Sequence, residues 1–310
     1  MAIRSETIYT TALELNRRAA CEIPDDVRLA VERMQRAETH AMPRYVLEKI
    51  GENYAKARRE GRPMCSDTGL PRFYVKLGNE AVVEGGPVAL ERMIRKATAD
   101  ATAGIPLRPN RVHPLTRKDY NNNVGAHAPT VDYSFEPDAR WLDMTATHKG
   151  GLFGSDYRML FPADGLAGVR RFFLDTLSEF FRRGMSCPPV TIGIGIGGTK
   201  DVCVRLAKEA ACLRIVGDRH PDPAVAALET DLVELGNASG FGPMGFHGDR
   251  SVLDVHVEVA FAHTGGMPVS VQQFCHAQRR MTARIHDDDS VEYREDPRWF
   301  TDYYRRETVD

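Results

Sequence analysis

A chain of 310 residues, 42% hydrophobic and 27% charged, is long enough to bury a sizeable core and ordinary in composition for a globular protein. Its 41 basic and 43 acidic side chains leave a formal net charge of -2, so no overall positive field marks nucleic acid or an anionic membrane as a partner. No stretch approaches the roughly 18 consecutive apolar residues of a membrane span, and MAIRSETIYTTALELN lacks the apolar run of a signal peptide, so the expectation is a cytoplasmic protein with reduced thiols.

In chain order, Pro24 and Asp25 open a helical pattern with Val27, Val31 and Met34 on one face. Pro43 interrupts it, and Leu47, Ile50 and Tyr54 carry it on to Gly61. RFYVKLG (72–78) reads as a strand after the turn-like CSDTGLP, and 87–103 as a helix. Residues 104–130, rich in Pro, Asn, Gly and His, show little periodicity, as long functional loops do. Residues 141–147 alternate as a strand, and 165–183 form an apolar-faced helix that Gly184 ends. PPVTIGIGIGGT is a strand running into a glycine turn, with helices over 199–212 and 222–236. Val255, Val257, Val259 and Phe261 alternate with His256, Glu258 and Ala260, which predicts a half-buried strand. MPVSVQQF is a further strand, leading into Cys275, and the chain beyond His286 is charged enough to be a surface extension. The expected architecture is a mixed α/β (α+β) fold in one domain over 1–310, with a helical part at 1–62, a core at 63–285 and an extension at 286–310.

Six cysteines in a reducing compartment point to metal ligands or core thiols rather than disulfides. Cys203 and Cys212 lie in helix among apolar neighbours and read as small core residues, and Cys21 carries no signal. Cys65 (in a polar turn), Cys187 (between a helix end and a strand start) and Cys275 (at a strand end) differ. All three sit where elements end, the positions from which site residues are presented. Their separations of 122 and 88 residues are no local CxxC pattern, and on spacing alone they remain unrelated cysteines.

The surroundings of these cysteines resemble those in the class I, iron–sulfur-dependent fumarases and the related tartrate dehydratases. Cys65-Ser66-Asp67-Thr68-Gly69 is similar to the family's Cys-Gln-Asp-Thr-Gly, and Cys187-Pro188-Pro189 precedes Gly197-Gly198-Thr199 as in the family's second ligand segment. Cys275 follows a short strand and precedes Arg279 and Arg280. Pro106-Leu107-Arg108, Asn123-Val124-Gly125, the Phe161–Gly165 segment and Arg219-His220-Pro221-Asp222-Pro223 extend the likeness from about residue 25 to 285.

The resemblance implies a 4Fe–4S cluster on Cys65, Cys187 and Cys275, with one iron left open for the substrate. It implies Asp67 as a proton donor to the leaving hydroxyl, Arg108 as a carboxylate grip, and His263 as a substrate-binding histidine. Asn123, Gly125, Lys149, Gly150, Gly198 and Thr199 would line the substrate pocket. Two departures bear on the substrate: Ser66 stands for the family's Gln, and Lys149-Gly150-Gly151-Leu152-Phe153-Gly154-Ser155-Asp156 differs from its Lys-Gly-Gly-Gly-Ser-Glu-Asn loop. The implied activity is reversible dehydration of a hydroxy-diacid, malate or L-tartrate. Single-chain members carry a second domain, so this chain resembles an alpha subunit awaiting a beta subunit, as α2β2 or on an alpha homodimer.

The leading rival is a nucleotide-binding oxidoreductase, because Gly193–Gly198 satisfies GxGxxG and Asp218 follows twenty residues later. A zinc site using Cys275 and His276, and a non-catalytic subunit, are the others.

Overall fold

A computed structural model describes residues 2–150, 155–301 and 305. It groups the chain into two compact units: Met1–Pro24, Lys56–Gly151 and Arg279–Asp310 in the first, Asp25–Ala55 and Leu152–Gln278 in the second. Where the sequence suggested one domain, the chain crosses four times: between α1 and α2 at Pro24, inside a continuous helix at Ala55, beside a glycine pair at Gly151 and in a short turn at Gln278. None of these carries a linker's composition, which is why they leave no mark in the sequence.

In the first unit, β1 (Leu70–Gly78) runs parallel to β2 (Thr130–Glu136) and antiparallel to β3 (Leu142–Lys149). Beyond β3 come β8 (Arg280–Ile285) and β9 (Val291–Arg294), so the order among the described residues is β2-β1-β3-β8-β9. Helices α1 (Ser5–Cys21) and α4 (Gly86–Gly104) bury Ile8, Leu15, Leu90 and Ile94 against Phe73, Val75, Met144 and Ala146. Those strand residues are two apart, as the period of a strand demands. The expected strand at 72–78 and helix at 87–103 are both present.

The charged tail departs from expectation, since Val291–Arg294 is an edge strand and Trp299 is buried edge-on against Tyr74. Arg284 and Arg294 both pair with Asp143, whose residue is only 2% exposed, so charge here is internal.

The second unit holds α2 (Asp25–Ala37), most of α3 (Ala41–Glu60) and a sheet in the order β4-β7-β5-β6. These strands are β4 (Ser155–Leu160), β5 (Val190–Gly197), β6 (Val252–Ala260) and β7 (Met267–Phe274). β5 and β6 are parallel, while β7 runs against both β5 and β4. Helices α5 (Gly165–Arg182) and α7 (Pro223–Asn237) cover one face with Phe172, Phe173, Leu177, Leu228 and Leu232.

Helix α6 (Lys200–Leu213) covers the other face, and the glycines of GxGxxG explain how. A Cβ on Gly193 would stand 2.1 Å from the Ala207 carbonyl oxygen, and one on Gly195 2.1 Å from that of Cys203. These glycines lie inside the strand and exist to let α6 approach it. The expectation of a half-buried β6 is corrected: His256 is 0% and Glu258 3% exposed, so both faces are buried. Glu258 takes a 2.9 Å ion pair from Arg214.

Two motifs shared with the resembled family have local structural roles. Asp222 caps α7, accepting from Ala224 and Val225 ahead of a proline in the first turn. Asp164 accepts from the Phe161 amide at the entry to α5.

Candidate active site

In the first unit, Cys65 is exposed on the bend between α3 and β1. The bend is fixed by close approach: Gly69 has φ +80, and a Cβ there would meet the His148 backbone at 2.7 Å. Asp67 Oδ1 accepts from the Gly69 amide at 3.0 Å and from Asn110 Nδ2 at 2.8 Å. No hydrogen bond to Oδ2 occurs among the described residues. The Asp67 carbonyl accepts 2.6 Å from Arg279, a residue 2% exposed.

The same turn holds the 108–110 segment. Arg108 donates its amide to Thr68 Oγ1 at 3.0 Å, while its side chain is exposed and unpaired among the described residues. Asn123, 1% exposed, ties this segment to α4: Oδ1 accepts from the Asn110 amide, and Nδ2 donates to the Arg108 carbonyl and to Thr102. Gly125 is tied through backbone bonds to Ala128, and both carbonyls accept from Arg95. Lys149 ends β3 half-buried, and Gly150 beyond it is buried. Residues 151–154 of the altered loop lie outside the described residues.

Asn110 escaped the sequence reading. Its side chain bridges Asp67 Oδ1 and the Gly69 carbonyl, at 2.8 and 2.9 Å. His148 also escaped: its imidazole is fully buried, Nε2 lies 2.9 Å from Asn16 Oδ1, and burial pulls its pKa down to about 3.

In the second unit, Cys187 is exposed ahead of β5 and Cys275 half-buried after β7. Because β7 is antiparallel to β5, with Phe274 opposite Thr191, both thiols lie at one end of the sheet. The His276 amide donates 3.1 Å to the Cys187 carbonyl, joining the two segments directly. Tyr54, read from sequence as part of a helical pattern, donates its hydroxyl 2.8 Å to the His276 carbonyl and also meets His276 Nδ1 at 2.9 Å. Burial beside Cys275 raises its phenol well above the ordinary value. That ring contact also engages one nitrogen that a zinc site on His276 would need.

Gly198, Thr199 and His263 are at the opposite end. Gly197 pairs with Ala260, so Gly198 and Thr199 leave β5 where β6 also ends, and His263 follows three residues later. Eight strand residues at about 3.3 Å each put them on the order of 25 Å from Cys187 and Cys275. The second unit therefore holds these residues apart from the two thiols it carries. His263 is exposed, with Nδ1 accepting from the Gly265 amide at 3.0 Å and Nε2 left outward.

Glu38, His40 and Asp249 form the one metal-capable cluster found among the described residues. Its carboxylates are spent anchoring the α2–α3 turn, through the His40, Asp249 and Thr39 amides.

The chemistry of the donors separates the six thiols into two groups. Cys21, Cys203 and Cys212 are buried, and burial pushes Cys203 up to about 12 and raises Cys21, which keeps those two protonated. Cys65, Cys187 and Cys275 stand outside the apolar core at element ends, where a soft metal can reach them.

Comparison with known proteins places this mixed α/β chain among hydro-lyase subunits. The family model described as fumarate hydratase (fumerase) matches residues 10–284. A protein of Methanocaldococcus jannaschii, provisionally named L(+)-tartrate dehydratase subunit alpha, is 38% identical over 286 residues, covering 91% of this chain and 98% of that one. The L(+)-tartrate dehydratase subunit alpha of Escherichia coli K12 is 33% identical over 272 residues, covering 87% and 88%. The chain belongs to the fumarate hydratase (fumerase) family.

Proposed function

We propose that this chain is the alpha subunit of a 4Fe–4S hydro-lyase that reversibly dehydrates a hydroxy-diacid. Hydro-lyase chemistry and the alpha-subunit place follow from family membership and from relatives named as alpha subunits. No helix among the described residues is long and apolar enough to cross a membrane.

The observation that carries the cofactor reading is the pairing of Cys187 and Cys275 at one end of a sheet, secured by the His276–Cys187 hydrogen bond. Cys65 is the third ligand in this reading. Three soft thiolates at element ends, two exposed and one half-buried, fit a cluster that keeps one corner vacant. When bound, that group supplies a Lewis acid for a hydroxyl and a carboxylate.

The chain's own residues do the rest. Arg108 holds a substrate carboxylate through its unpaired guanidinium fork. Asp67 moves the proton to the departing hydroxyl: one oxygen is anchored by Gly69 and Asn110, and the other is left for transfer. Asn123 keeps the Arg108 segment in place, and Gly125, Lys149 and Gly150 border the pocket. His263, Gly198 and Thr199 serve a substrate only if a second copy, as in an α2β2 assembly, brings them to it. A beta subunit supplies the general base.

Anaerobic reconstitution tests this reading. The purified chain should take up iron and sulfide to give visible absorbance, with turnover of L-tartrate or malate appearing only when a beta subunit is added. Full turnover by the chain alone, or no uptake of iron, would sink it. The oxidoreductase alternative loses its footing because Gly193 and Gly195 pack a helix and Asp218 is paired with Arg214 at 3.0 Å.

A further inference from the structure

Arg111 stands apart from the other arginines of the first unit. It is half-buried, yet no hydrogen bond or ion pair to it is found among the described residues. Its Nε is buried without an acceptor. The charge that bears on it is that of Arg72, which has the same sign and is itself committed to Asp132 at 2.5 and 2.8 Å. Burial and that neighbour both disfavour its charged form.

A guanidinium stripped of much of its water and given no anion is costly, and a chain that keeps one keeps it for something. Its position indicates what. Asn110, the preceding residue, bonds Asp67 through its side chain and Asn123 through its amide. Arg108, three residues earlier, is held on Thr68. Arg111 is thus fixed in register with the proposed proton donor and the proposed carboxylate grip. Three residues of chain separate its Cα from that of Arg108 by at most about 10 Å, within reach of a four-carbon diacid for two arginine side chains.

We propose that Arg111 is a second anion-binding residue of this site and takes a carboxylate of the dicarboxylate substrate. The inference rests on the hydro-lyase reading for the identity of the anion, and on the unpartnered guanidinium for the existence of the site. A diacid differs from a monoacid by the charge that a second arginine would read, so Arg111 would set selectivity for diacids.

Titration calorimetry and thermal melting of the full chain, wild type against Arg111→Gln and Arg111→Lys, test it with L-tartrate, succinate, acetate and sulfate as probes. Arg111→Gln should melt no lower than wild type, because it removes an uncompensated charge. It should bind both dicarboxylates about 10- to 100-fold more weakly, the size of a lost charge-assisted pair. Arg111→Lys should recover part of that loss, and acetate affinity should change little. A lower melting temperature with dicarboxylate affinity intact would make Arg111 a structural cation and overturn the proposal. Arg111-dependent binding of sulfate with no binding of either dicarboxylate would overturn the substrate assignment. Iron and sulfide uptake does not involve Arg111 and should be unchanged in both variants, so failure of the cluster reading registers separately.

Discussion

The two ends of the second unit's sheet are both written in small and reactive residues, yet they do different work. One end carries Cys187 and Cys275, joined by a backbone hydrogen bond. The other carries Gly197, Gly198 and Thr199, with His263 just beyond β6. In sequence, Cys-Pro-Pro and Gly-Gly-Thr look like one motif. A strand lies between them, and a strand separates its ends by about 3.3 Å per residue. The comparison teaches that closeness along the chain is distance in space once the intervening residues are extended.

Breaking the thiol end should have the largest effect. Cys187→Ser or Cys275→Ser should abolish visible absorbance after reconstitution and cost more than about 1000-fold in turnover with the beta subunit, on the scale of losing a reaction's electrophile. Cys203→Ser, in the buried group, should leave the absorbance in place, and iron counting on all three variants decides the matter. Asp67→Asn should lower kcat by about 100- to 10,000-fold, as the loss of a general acid does, with iron content unchanged. A kcat within a few-fold of wild type would remove Asp67 from the proton path.

The glycine end is tested through stability. Gly195→Val forces a side chain to within 2.1 Å of the Cys203 carbonyl oxygen and should destabilise by about 3 kcal/mol or more, read from chemical denaturation. Tight NADH binding by the wild type, lost in this variant, would revive the nucleotide reading. His263→Ala, at an exposed position, should leave the melting temperature unchanged while lowering kcat/KM by about 10-fold. No change in kcat/KM would leave the histidine structural or idle.

The smallest effect at neutral pH, but one that grows on acidification, concerns His148. Its folded-state pKa, about 3, lies below the ordinary 6.5. Between those values the unfolded chain binds a proton that the folded chain refuses, so stability falls as pH drops through that window, by up to about 5 kcal/mol below it. Denaturation midpoints between pH 7 and pH 4 should therefore decline less in His148→Gln than in wild type.

Elements with a clear apolar period were legible. MPVSVQQF reads as a strand and is one, and the helices from Asp25, Gly86 and Gly165 begin within a residue or so of where their patterns do. Elements whose partners are remote were not. Arg280, the largest fully buried side chain, sits in β8, a strand that its charge disguised. The exposed edge strand Ser155–Leu160 shows no apolar face to read. Of the site, the reactive residues were legible and their holders were not. Asn110, Tyr54 and His148 act through contacts 43, 222 and 132 residues away.

By itself the sequence determined which thiols stand outside helices, which family the chain belongs to, and which aspartate and arginine accompany the first cysteine. Residue type and immediate neighbours decide those things, because they set local conformation and intrinsic reactivity. The tertiary structure alone decided that GxGxxG is a helix seat, that His263 lies away from this copy's paired thiols, and that Arg111 has no anion partner among the described residues. Each depends on what a distant strand or side chain places nearby, and spacing along the chain does not encode that distance.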